Sequence, residues 1–331
     1  MMHLRRETMH PLRASPEFAL AVLITLGLAG LYGLMVGLMA LRLEPLLPGK
    51  FAQMAHFTLA HHRTHDLTFG FLFVPAVVGM LAQLRRPLKN VAAQLMALIP
   101  SLGLLLTLML AFVLTNNTNV LQPPWVTVGV AALIAIVLHP AGRDLLRSFS
   151  VARIDRGMLT LVIIAAVPLL VFASINIGLQ GTVTDDHAAM GHYGFMAAFA
   201  FAVIGIALLA SLRPEGWRLA AWTAGLLPGL LGLASLAFPN ATSSLGLVWA
   251  LTAIAWGAGF VAAAELTLMT DPTPYADTGD DAGVGPGHGS PPITPRWVKV
   301  SGIIALALVL LVVTMMLTGG VGGHKPPSGG H

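Results

Sequence analysis

Apolar residues in this chain do not alternate with polar ones at any short period. They run in long blocks, broken by short polar stretches that carry nearly all the charge. Nine blocks approach the length of about 20 residues that a membrane-spanning helix requires: 17–41, 66–84, 91–114, 124–139, 157–178, 191–212, 217–238, 246–269 and 299–318. The pattern predicts an all-α, polytopic transmembrane bundle of nine spans. Residues 1–269 form an eight-helix membrane bundle. Residues 270–298, rich in Gly, Pro and Asp, read as a disordered linker. A ninth helix follows over 299–318, and 319–331 form a flexible tail. The first apolar run is too long for the core of a cleaved signal peptide and is read as a retained helix.

The charge distribution orients the bundle. With the N-terminus in the cytoplasm, 14 of the 18 Lys and Arg residues fall on cytoplasmic segments, and only Arg42, Lys50, Arg63 and Lys325 fall outside. This follows the positive-inside rule loop by loop, as expected in a bacterial or archaeal cytoplasmic membrane. The 10% charged content, far below the ~25% of soluble domains, supports the same class. The chain has no cysteine, which excludes disulfides, thiolate-ligated haem, iron–sulfur clusters and thioether-attached haem. No Walker loop, dinucleotide fingerprint, Ser/His/Asp pattern or nucleic-acid module is present.

Histidine placement is where chemistry enters. Eight of twelve histidines lie at the end assigned to the outside: His56, His61, His62, His65, His187, His192, His324 and His331. His65 opens the second span and His192 the sixth, at the same depth. Two imidazoles facing each other across a bundle suit the axial positions of a low-spin haem b, an electron-transfer arrangement. The plain alternative is that each is an interfacial residue bonded to a loop. Phe69, Phe71, Phe73, Phe195 and Phe199 fit a haem pocket or ordinary bundle filling. Gly27, Gly30, Gly33 and Gly37 read as a small-residue face for close helix packing.

The remaining outer groups are His61, His62, His187, Arg63, Asp66, Asp185, Asp186 and Met190. Arg63, His61, His62 and His187 are assigned to haem propionates or to a supporting role. A copper or zinc site built from the same loops is the alternative. Asn176 and Gln180 approach this end as possible donors to a ligand. Glu265 is the one carboxylate well inside a span, which makes it a functional candidate. His139-Pro140, at the opposite end, reads as a helix terminator, and Trp249 and Trp256 as packing residues.

The stretch His65-Asp-Leu-Thr-Phe-Gly-Phe71-Leu72-Phe73-Val-Pro75-Ala76-Val-Val-Gly79 resembles the second-helix motif of haem–copper oxidase subunit I. Met190-Gly191-His192-Tyr193 resembles the His-x-His-Tyr of that family's tenth helix. Leu31 to Pro45 is similar to the first helix of its nitric-oxide-reductase-like branch. The resemblance implies that His65 and His192 are the two low-spin haem ligands. It also implies membrane redox subunits, or a periplasmic electron carrier, as partners in a respiratory or related redox complex. Met190 stands where that family's active-site haem ligand would be, and no pattern for its copper centre occurs. The implied protein is an electron-transfer subunit, not an oxidase by itself. A cofactor-free structural subunit or transporter is the third expectation.

Overall fold

The computed structural model describes residues 15–40, 62–115, 123–141 and 153–270. Every regular element among them is helical. The first helix, α1 (Pro16–Ala40), starts where its sequence predicts. Pro16 needs no N–H partner in the first turn, and the Ser15 hydroxyl accepts from the Phe18 N–H at 3.4 Å. The second span is broken into α2 (Arg63–Phe71) and α3 (Val74–Arg85). Pro75 lacks the N–H that would continue the ladder and crowds the preceding turn. A 3-10 turn at Pro87–Lys89 leads into α4 (Val91–Thr115), followed by α5 (Pro123–Val137). Next come α6 (Arg156–Thr182), the four-residue α7 (Asp186–Ala189) and α8 (His192–Ser211). The bundle closes with α9 (Trp217–Ala237) and α10 (Leu247–Thr270).

Among the described residues, seven helical segments are long and apolar enough to cross a membrane, with α2 and α3 counted as one. The chain is thus an all-helical integral membrane bundle. The first eight sequence blocks all appear as helix. The fourth, α5, is 15 residues long, or about 22 Å at 1.5 Å per residue, short of a ~30 Å hydrocarbon core. The ninth block, the linker beyond Thr270 and the tail lie outside the described residues.

α8 occupies the centre. Its spanning window is 78% buried, against 22% for α6, and it packs against α2, α4, α6 and α9. Its run Phe195–Ala200 is buried at every position, which is why no amphipathic stripe marks it in the sequence.

Close helix crossings fall elsewhere than the glycine ladder of α1. Among the described residues, a Cβ placed on Gly27, Gly30 or Gly37 meets nothing within 4 Å, and only Gly33 touches a neighbour, Phe73. The tight approaches are between α9 and α10, where Gly225 and Gly257 face each other's backbone and Gly232 faces Ala250. Gly79 of α3 lies equally close to Ala93 of α4. Among the described residues the small-residue face expected on α1 is largely without a partner, and the close crossings lie at other pairs.

The end of the bundle opposite the histidine cluster is held by polar latches. His139 sits edge-on to Phe18, with ring centroids 5.2 Å apart. Its Nδ1 accepts from the Ala141 N–H at 3.1 Å, so Nε2 carries the proton and donates to Gln83 Oε1 at 3.2 Å. Gln83 in turn donates to the Asn90 carbonyl. Beyond ending a helix, His139 joins α1, α3 and α5. Glu265 also lies at this end. It accepts two hydrogen bonds from the Arg218 guanidinium, both 2.8 Å, and one from Trp222 Nε1 at 2.6 Å. Its carboxylate pins α10 to α9, a structural use of the acid. Trp256 packs on Phe260 and donates to the Leu161 carbonyl.

Candidate metal centre

α2 begins directly after His62. A helix brings residues three and four apart onto one face, so His62, His65 and Asp66 share a side. The other two histidines come from the turn between α6 and α8. The Asp185 carboxylate caps α7 by accepting from the Ala188 N–H at 2.9 Å, which fixes His187. Gly191 then takes a left-handed φ of 75°, a conformation that disfavours a side chain, and α8 starts at once with His192.

The four imidazoles meet. Ring centroids are 4.3 Å apart for His62–His187, 4.9 Å for His62–His192 and His65–His187, 5.2 Å for His65–His192 and 5.8 Å for His187–His192. All four side chains are buried. One ligand nitrogen from each of His62, His187 and His192 lies within 4.8 Å of the others. His65 is differently engaged, with its Nε2 2.7 Å from Ser243 Oγ.

A shell of polar contacts fixes these rings. Tyr193 donates to Asp185 Oδ2 at 2.8 Å, and His187 Nδ1 lies 3.5 Å from the same oxygen. Partial burial disfavours the charged form of Asp185. The Ala188 N–H, the Tyr193 hydroxyl and His187 outweigh it and hold the carboxyl below its ordinary range. A carboxylate on one ring nitrogen orients the other toward a metal. Gln180 spends both ends of its amide on backbone, donating to the Ala188 carbonyl and accepting from the Gly194 N–H. Asn176 donates to the Phe172 carbonyl of its own helix. Gln180 thereby braces the turn that carries His187 and His192.

The loop between α9 and α10 forms one wall. Thr64 and Ser244 share a hydrogen bond of 2.8 Å, and the Arg63 guanidinium lies 4.9 Å from the Phe238 ring centroid, a cation–π contact. Ser243 and Ser244 carry no motif. The signal available in the sequence was only that Phe238–Ser244 is a turn-rich segment at the histidine end. His61, His56, His324 and His331 lie outside the described residues.

Phe69 and Phe195 stack at 4.2 Å beneath the cluster, with Phe73 edge-on to Phe69. This floor is apolar.

A macrocycle held between His65 and His192 needs a flat slot across the line joining the two rings. His187 stands beside that line, 4.9 Å from one ring and 5.8 Å from the other. As packed, the donors surround a point rather than bracket a plane. His62 and His187, which the sequence reading gave to propionates, stand with His192 as the convergent trio, while His65 takes a hydroxyl partner.

The fold and site define a class: a helical membrane bundle with a buried histidine cluster at one end. Compared with protein-family models, curated proteins and solved structures, the chain matches none. The likeness to haem–copper oxidases rests on the quoted motifs alone.

Proposed function

We propose that this membrane protein holds one transition-metal ion of the zinc or copper class, resident in the histidine cluster. The observation that carries this is the convergence of His62, His187 and His192, three buried imidazoles whose ligand nitrogens lie within 4.8 Å of one another. Imidazole is the common nitrogen ligand for both metals. Donors around a tetrahedral zinc stand about 3.3 Å apart, given bonds of 2.0–2.1 Å, so closure needs only side-chain adjustments of about an ångström. The central helix below the site presents Phe195, Met196, Phe199, Val203 and Ile206, all buried. The Lys and Arg distribution supports an extracytoplasmic position for the site.

The haem b reading, with His65 and His192 as axial ligands and electron transfer to redox partners as the role, uses the same residues. One measurement separates the two. The purified full chain in detergent is analysed for metals and by reduced-minus-oxidised absorbance. One equivalent of zinc or copper and no Soret band is expected. His62→Ala, His187→Ala and His192→Ala should each lose the metal, and His139→Ala should keep it. Stoichiometric iron with Soret and α bands would overturn the reading in favour of haem. Neither metal nor haem would overturn both.

A further inference from the structure

Two carboxylates flank the histidine trio, and they are used differently. Asp185 is committed: one oxygen caps α7, and the other accepts from Tyr193 beside His187. Asp66 is not. Its Oδ1 lies 3.9 Å from His192 Nε2, next to the trio but outside the set of nitrogens within 4.8 Å of one another, so its carboxylate has to swing inward to join them, and its Oδ2 is buried without a hydrogen-bond donor among the described residues. A buried carboxylate oxygen without a donor is costly unless a proton or a cation takes it. Asp66 is also one helical turn from His62, on the same face of α2.

We propose that the centre is built for a divalent ion and that Asp66 supplies its fourth ligand. This rests on the metal-binding reading above. Three imidazoles and one carboxylate make a four-coordinate set of nitrogen and oxygen donors, suited to zinc(II) or copper(II), whereas copper(I) selects sulfur donors. Asp66 would also fill the position that catalytic zinc sites leave to water, so the centre is closed and not hydrolytic.

The test uses chelator competition on the full chain in detergent, with zinc(II) and, under reductant, copper(I). Outer-shell partners typically cost 10–100-fold in affinity. Asp185→Asn should fall in that range, and Asp66→Asn should lose about 100-fold or more for zinc(II) while copper(I) affinity changes less than tenfold. Asp66→Glu, which restores an oxygen donor, should recover part of the zinc affinity. Each variant is read on protein that keeps the metal-free unfolding midpoint of the wild type, which Asp66→Asn should do as a near-isosteric change. If Asp66→Asn binds zinc within tenfold of wild type while His62→Ala abolishes binding, Asp66 is not a ligand, and the metal-binding reading still stands. If the wild type binds copper(I) more tightly than zinc(II), the divalent assignment is overturned. If the wild type binds no metal, the parent reading fails first.

Discussion

Ser243 places its hydroxyl oxygen 2.7 Å from Nε2 of His65 while holding a backbone φ of 62°. Serine seldom adopts that left-handed conformation, which costs an ordinary residue roughly 1–2 kcal/mol. The bond to His65 and the neighbouring Thr64–Ser244 contact hold the strained turn in place. Ser243→Ala keeps the strain and loses the bond. Ser243→Gly loses the bond but relieves the strain. Unfolding in detergent should therefore find the glycine variant more stable than the alanine variant by about 1 kcal/mol. Equal stabilities would mean that the turn stores no strain.

Glycines give a sharper contrast. Gly257→Ala drives a methyl group into the Gly225 backbone and should separate α9 from α10. Overpacking of this kind costs about 1–3 kcal/mol. Gly27→Ala and Gly30→Ala meet open space and should be neutral, or stabilising by up to about 1 kcal/mol through helix propensity. Thermal midpoints of the three variants decide the matter. A destabilised Gly30→Ala would restore the packing face that the sequence suggested on α1.

The spans were legible because a bilayer demands length and apolarity, and both are written locally. The break before Pro75 was not anticipated: 66–84 reads as one span, and the structure divides it into α2 and α3. The common depth of His65 and His192 followed from counting helices. Which rings converge was not legible, because it depends on the four-residue α7 and on the left-handed Gly191. Ser243 lies 178 residues from His65, and nothing local marks it. Glu265 drew attention as an acid within a span, yet Arg218, 47 residues away, explains it. Pairwise long-range contacts of this kind leave no trace in periodicity or composition.

Orientation is open to a direct measurement. A reporter fused after Arg218 should be active on the cytoplasmic side, and one fused after Val183 on the outer side. The opposite pair of results would place the histidine cluster in the cytoplasm and reverse the charge-based topology.

The contacts from Thr64 and His65 to Ser244 and Ser243 carry a consequence for biosynthesis. All three convergent imidazoles, and Asp66 with them, have been translated by residue 192. The loop that steadies α2 is made only after α9. A nascent chain therefore holds every donor before it holds the wall behind them, and the pocket takes its final shape late, when the α9–α10 hairpin docks.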